Sequence, residues 1–309
     1  MHPKDLALTL LVILVWGVNF AVMKVGVSQV PPLLLGALRF CLAAFPALLL
    51  FKPPRIALRW YVAYGSTICL GQFAFLFSAI HVGMPTGLAS LVLQSQSFFT
   101  LLLAGWWLKE RWQGHQLAGL LLALCGLVVI GMAHAHTLQG QSLPMWGFGL
   151  TLLAASSWAC GNIVTRAVSQ QLNALGSHSQ IAFVVWASLV PPLPFLGLSL
   201  WVDGSEAVVT ALLHLQVTTL AAVAYLAWVA TLLGYGLWSH LMSRYPTHRV
   251  APFTLLVPVV GLTTGWLAFG ERLGAWHWAG AALLMLGLLT NVVGGTVWHA
   301  VFRRSGADR

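Results

Sequence analysis

The chain has 309 residues, 59% hydrophobic and only 7% charged, with 15 Trp and a formal net charge of +9. A water-soluble domain carries about 25% charged residues, so this composition lacks the polar groups needed to cover a surface in water. The class is a polytopic membrane protein, and the positive charge, spread over short connecting segments, calls for no nucleic-acid partner.

A bilayer core about 30 Å thick needs roughly 20 apolar residues per helix. Ten such runs follow one another, and their length predicts helices rather than the shorter alternating strands of a barrel. The first, residues 6–25, carries Trp16, Asn19 and Lys24. It is expected to stay as a helix, because it spans a full membrane thickness with no small-residue cleavage site after it. The second, 33–51, holds Arg39 about six residues inside. Its stem is long enough to snorkel to the headgroups; the functional alternative is a partner for a substrate carboxylate. The third, 60–81, carries Phe73, Phe75 and Phe77.

The fourth run, 86–108, opens after Pro85 and holds Gln94 and Gln96 near its middle. At about 100° per residue these two point roughly 200° apart, so one of them is expected to face a cavity squarely. "KER" at 109–111 precedes the fifth run, 115–133. The sixth, 145–166, carries Trp158, Asn162 and Arg166; the seventh, 179–201, leads into the acidic loop with Asp203 and Glu206. The eighth, 217–242, holds Tyr225, Tyr235 and Trp238, and the ninth, 247–269, contains Pro252 and Pro258 beside Gly261-x-x-x-Gly265. Each of those prolines removes a backbone hydrogen bond, which makes this stretch a candidate bend. "GER" at 270–272 precedes the tenth run, 275–298.

Alternate loops divide the charge. Lys4, Lys52, Arg55, Arg59, Lys109, Arg111, Arg166, Arg244, Arg249, Arg303, Arg304 and Arg309 fall on one side; Lys24 and Arg272 fall on the other with the acidic loop. The positive-inside rule then places both termini in the cytoplasm. The four cysteines lie singly within apolar runs, where small core residues are expected, and no His, Cys or acidic grouping has metal-ligand spacing. No cofactor is implied.

Displaced by 161 positions, residues 76–127 match 237–288 without a gap, with Pro85-Thr86, Glu110-Arg111, Gly119 and Gly126 repeated as Pro246-Thr247, Glu271-Arg272, Gly280 and Gly287. A displacement of 142 aligns Trp16 and Lys24 with Trp158 and Arg166, with Asn19 and Asn162 one place out of register. Two units follow, 1–135 and 140–309, each of five helices. Five is odd, so the second enters the membrane inverted. The fold class is all-α, ten transmembrane helices in two inverted repeats, an organisation suited to alternating access around a midplane site. The Glu–Arg pairs read as helix-end ion pairs at the interface.

"VWGVNFAVMKVG", "PPLLLGALRF", "FLFSAIHVGMPTGLASLVLQSQSFFT", "SSWACGNIV" and "LGYGLWSHLMSRYPTHRVAPFTLLVPVVG" resemble the EamA branch of the drug/metabolite transporter superfamily over residues 4–298. The resemblance implies a multi-pass protein of the bacterial inner membrane that exports small metabolites, with amino acids such as cysteine and O-acetylserine as the expected cargo. Aromatic amino acids or drug-like compounds are the rival.

All six acidic residues lie away from the predicted midplane, so no buried carboxylate is available as a proton carrier, and downhill uniport is expected. The cavity is expected between helices 1, 3, 4, 6, 8 and 9. Its candidate substrate-binding residues are Asn19, Arg39, Gln94, Gln96, Trp158, Asn162, Tyr225, Tyr235 and Trp238, amides and aromatic hydroxyls suited to a zwitterion. Bulky Phe73, Phe75, Phe77 and Trp158 favour a small solute. An intramembrane enzyme lacks its nucleophile–base pair, and a channel lacks its charge ring.

Overall fold

The computed structural model describes residues 2–107, 109, 112–136, 145–176, 179–245 and 247–305. Glu110, Arg111, His178, Pro246, Asp308 and Arg309 lie outside the described residues, and the Glu110–Arg111 pairing and the Pro246 helix start with them. The described chain is helical with no strand. Its long helices are α1 (Pro3–Val27), α2 (Pro32–Leu48), α3 (Leu58–His81), α4 (Thr86–Trp107), α5 (Gly114–His136), α6 (Met145–Ala174), α7 (Ser179–Val202), α8 (Val217–Met242), α9 (Pro252–Phe269) and α10 (Ala275–Ser305). Nine of them are long and apolar enough to cross a membrane. The exception is α2, whose 17 residues rise about 26 Å at 1.5 Å each. A short helix, Ser205–Leu213, lies between α7 and α8.

Exposed tryptophans gather near helix ends: Trp106, Trp107 and Trp112 beside the end of α4, Trp146 at the start of α6, Trp201 at the end of α7, Trp276 and Trp278 at the start of α10. That is the placement an indole takes at a membrane–water interface. Of the four cysteines only Cys69 is buried, and Cys125 and Cys160 are exposed. The expectation of four core cysteines therefore fails; a thiol is apolar enough to face lipid.

Two helices depart from α geometry at matched places. The third contains a π-helical stretch, Gly65–Gly71, and the eighth another, Tyr225–Leu233. The 161-residue displacement carries 65–71 onto 226–232. A 3₁₀ turn, Leu93–Ser95, lies in α4, and a second, Ala251–Leu255, opens α9. Both π segments are tied across the bundle by a side chain. Ser157 of α6 donates to the Thr67 carbonyl (2.9 Å) and Trp16 Nε1 of α1 to the Ala230 carbonyl (3.1 Å). A π-helical turn leaves carbonyls short of intrahelical partners, and a donor from a neighbouring helix supplies one.

Glycine contacts set the helix directions. Gly119 of α5 faces Gly287 of α10, and Gly126 faces Gly280, so the two helices run antiparallel with backbones in contact. A Cβ on Gly126 would lie 2.6 Å from the Gly280 carbonyl oxygen. Gly87 and Ser90 of α4 likewise meet Leu262 and Gly261 of α9, again antiparallel. Close approach of this kind maximises dispersion contact, the main attraction between helices in lipid. Gly126→Val is expected to lower stability by about 1–3 kcal/mol through overpacking, read as a fall in the melting temperature of the detergent-solubilised protein. Gly149→Ala, at a position with nothing within 4 Å of an added Cβ, is expected to leave it unchanged.

Candidate functional site

Inside the bundle lies a cavity of about 390 Å³ whose wall draws on α1, α2, α3, α4, α6, α7, α8 and α9. The six expected helices all contribute, and α2 and α7 join them. At one end the lining continues to Ser169 and Leu172 near the end of α6, Gln180 near the start of α7 and Met242 at the end of α8. At the other it stops at Met23, Leu76 and Ser90, each several residues short of its helix end.

Eight of the nine candidates from the sequence line this space: Asn19, Arg39, Gln94, Gln96, Trp158, Asn162, Tyr235 and Trp238. Tyr225 does not. Its hydroxyl donates to the Val15 carbonyl at 2.8 Å, which ties α8 to α1 beside the cavity. Gln94 and Gln96 both reach the wall, against the expectation that only one would. The 3₁₀ turn at Leu93–Ser95 is the reason: at three residues per turn, two positions two apart lie about 120° from each other around the axis rather than 160°. Gln94 Nε2 donates to the Thr254 carbonyl (3.3 Å), while Asn162 Nδ2 donates to Gln96 Oε1 (2.7 Å) and Thr100 Oγ1 (3.1 Å). The amides of α4 and α6 therefore meet at the wall.

Arg39 does not snorkel. It is 2% exposed, with Nη2 donating to Thr231 Oγ1 at 3.1 Å and its guanidinium carbon 3.8 Å from the centre of the Phe73 ring. Thr231 belongs to the π segment of α8, and its own hydroxyl donates to the Leu226 carbonyl. The ring face and this hydroxyl hold the cation inward, where headgroups cannot reach it. Trp16 packs on Tyr235 (5.5 Å between centroids) and on Trp238 (5.4 Å), forming an aromatic wall from α1 and α8.

Sequence reading missed Gln72, which stands directly after the π segment of α3, is 3% exposed and lines the cavity. The signal was present: an amide in an otherwise apolar run is costly in lipid unless something pairs with it. Several buried polar atoms at this wall have no partner: Asn19 Oδ1, Gln72 Oε1, and Nε and Nη1 of Arg39. Leaving a buried polar group unpaired costs about 1–3 kcal/mol, more for a charged one.

The closed end is held by charge. Glu271, between α9 and α10, was expected to pair with Arg272, but its Oε1 lies 2.9 Å from Lys24 Nζ at the end of α1. The same carboxylate accepts from the Thr86 N–H (2.9 Å), the Thr86 hydroxyl (3.1 Å) and the Gly87 N–H (3.1 Å). Pro85 sets the start of α4, so these are the unpaired N–H groups of its first turn. A carboxylate is the favoured group there because it also meets the positive end of the helix dipole. One side chain thus joins α1, α4 and the α9–α10 turn. Its geometry explains the correction: a helix N-terminus with a lysine beside it outcompetes a sequence neighbour. At the open end, Tyr245 donates to Asp5 Oδ2 (2.7 Å) and Arg244 lies 3.6 Å from Asp5 Oδ1, tying the start of α1 to the end of α8. Among the described residues no group of His, Cys or acidic side chains is placed to hold a metal ion.

This arrangement, a largely apolar cavity deep in a helical bundle with amides and one arginine set into its wall, has recognisable relatives. The model of the EamA-like transporter family matches this chain twice, over residues 4–132 and 145–293. A probable amino-acid metabolite efflux pump of Salmonella typhimurium is 50% identical over 298 residues, covering 95% of this chain and 96% of its own length. A protein of the same description from Escherichia coli K12 is 48% identical with the same coverage. A solved crystal structure shares the fold at a TM-score of 0.61, with 19% identity over 94% of this chain and 96% of the other. The chain belongs to the EamA-like transporter family.

Proposed function

We propose that this protein exports small amino acids and related metabolites, cysteine and O-acetylserine among them, across the bacterial inner membrane by alternating access. The observation that carries the reading is the cavity itself. It sits deep among eight helices with amides and aromatic rings in its wall, and its lining reaches the ends of α6 and α8 on one side while stopping short of the ends of α1 and α3 on the other. The names of the two bacterial relatives support the class of cargo. The eight lining candidates are its substrate-binding residues, and the bulky rings of Phe73 and Trp158 on the wall favour a small solute over a drug-like one.

The architecture proposed is ten spans in two inverted five-helix repeats, 1–135 and 140–309. Several findings support it: the two successive family matches, the matched π and 3₁₀ segments, and the antiparallel contacts of α4 with α9 and α5 with α10. With both termini cytoplasmic, the open end of the cavity faces the cytoplasm and the Lys24–Glu271 cluster closes the outer side. Export then proceeds by loading from the cytoplasm, breaking the cluster as the halves rock, and releasing outside. No carboxylate lines the cavity, which supports transport without a proton carrier.

Counterflow in proteoliposomes loaded with labelled cysteine or O-acetylserine is expected to exceed that of phenylalanine. The rate is expected to be unchanged when an ionophore clamps the pH gradient to zero. Loss of transport on clamping overturns uniport, and preference for phenylalanine overturns the cargo.

The outer seal has its own test. A carboxylate at a helix N-terminus contributes up to about 2 kcal/mol when partly buried, and about 1.4 kcal/mol corresponds to a tenfold population change. Glu271→Gln is therefore expected to raise labelling of a Leu93→Cys probe by an impermeant thiol reagent on the order of tenfold. The measurement uses right-side-out vesicles with the four native cysteines replaced by alanine. Unchanged labelling would show that the cluster is not what keeps the outer side shut.

A further inference from the structure

The unpartnered polar atoms on the cavity wall form a complementary set. Asn19 and Gln72 each present an amide oxygen, an acceptor; Arg39 presents two N–H groups on a fixed cation. All three residues line the cavity and are more than nine-tenths buried, at 8, 3 and 2% exposure. They come from α1, α3 and α2 of the same half. No acidic side chain lines the same space, so neither the cation nor an incoming amine finds a protein carboxylate there.

Chemistry assigns each atom a counterpart. The planar fork of a guanidinium matches an oxyanion, carboxylate or phosphate, and an amino acid brings the carboxylate. A cation held at this depth without a counterion is costly, and one carboxylate from the cargo neutralises it. An ammonium group brings only donors, and amide oxygens are what remains at the wall to accept them. The rings of Trp16, Tyr235 and Trp238 offer their faces beside the cavity, a second neutral way to receive a cation.

We infer that the cavity recognises the two charged ends of an α-amino acid separately, Arg39 taking the carboxylate and the amide oxygens of Asn19 and Gln72 taking the ammonium. Gln72 is thereby a specificity-determining residue, the one that separates an amino acid from the same carboxylic acid without its amine. The site accepts zwitterions and rejects amines that lack a carboxylate. In the conformation described, the unpaired atoms lie just beneath the wall, so cargo reaches them by small side-chain rotations rather than by a change of fold. The inference rests on the amino-acid reading above.

Its test uses the purified full-length protein, with cysteine, 3-mercaptopropionate (no amine) and cysteamine (no carboxylate) under reducing conditions, and binding read as the ligand-induced rise in melting temperature. The wild type is expected to bind cysteine at least about tenfold more tightly than 3-mercaptopropionate, the discrimination expected when a buried polar group loses its partner. It is expected not to respond to cysteamine. Gln72→Met is expected to bring cysteine down to the level of 3-mercaptopropionate, with an unliganded melting temperature equal to or above that of the wild type. A merely structural glutamine would lower that temperature and weaken both ligands alike, which overturns the assignment. Arg39→Gln, still showing a cooperative melting transition, is expected to lose the response to both carboxylates; a retained response to 3-mercaptopropionate overturns the carboxylate half. If cysteine binds in this pattern but counterflow moves no amino acid, the export reading falls and the zwitterion site stands. Transport of cysteine without the pattern gives the reverse.

Discussion

Lipid tails surround a leucine as favourably as a neighbouring helix does, so apolar burial alone does not hold this bundle together. What holds it is contact at very short range, and glycine is what permits that range. Gly119, Gly126, Gly280 and Gly287 meet pairwise where α5 crosses α10, and Gly87 and Gly261 serve α4 and α9 in the same manner. Gly17 of α1 lies against Val257 and Val260 of α9, which extends the seam towards the cavity. The helices that face the cavity are positioned by this frame. A methyl group added at Gly119, Gly126 or Gly287 would part the backbones themselves, because the nearest atom to each is a carbonyl oxygen of the facing helix rather than a movable side chain.

The same absence of water governs the polar groups. Many of the polar groups inside the bundle are paired within the protein, and several others stand unpaired at the cavity wall. The π segments show the first outcome: their freed carbonyls receive Ser157 and Trp16, and the donors stitch α6 to α3 and α1 to α8. Glu271 shows it at a helix end, where one carboxylate satisfies the first turn of α4 and a lysine together. Asn19, Arg39 and Gln72 show the second outcome. The division is physical: the groups that bind these helices to each other are satisfied, and the unpaired amide oxygens and guanidinium nitrogens of Asn19, Gln72 and Arg39 stand where a solute has room to enter.

Membership in a transporter family and the names of the bacterial relatives fix the protein as a membrane carrier in kind. A wall of amides, aromatic rings and one cation, with no carboxylate, favours a solute that brings its own negative charge and makes no demand on a proton. An ion pair fastens the end of α1 to the α9–α10 turn, and at the opposite end of the bundle Asp5 and Arg244 tie α1 to α8.

Much of this was legible in the residues. Run length and the rarity of charge specified helices crossing a membrane, since no other structure satisfies a backbone in hydrocarbon. The displacement of 161 marked in advance the four glycines that meet at the α5–α10 crossing, because a repeated contact needs a repeated small residue. Four amides, three aromatic rings and one arginine inside apolar runs marked eight residues of the cavity wall, because polarity at that depth has to be accommodated. Other features depended on the direction a side chain takes once helices pack. Arg39 had two destinations open to it, headgroup or interior, and a ring of α3 with a hydroxyl of α8, both distant in sequence, selected the interior. A local change of helical pitch brought Gln94 and Gln96 to one wall, and pitch is set by neighbours. Glu271 passed over the arginine beside it for a lysine 247 positions away and the start of another helix. Sequence by itself determined which groups lipid could not tolerate alone; only the tertiary structure decided which partner each would find, because partners in a bundle are chosen by proximity in space.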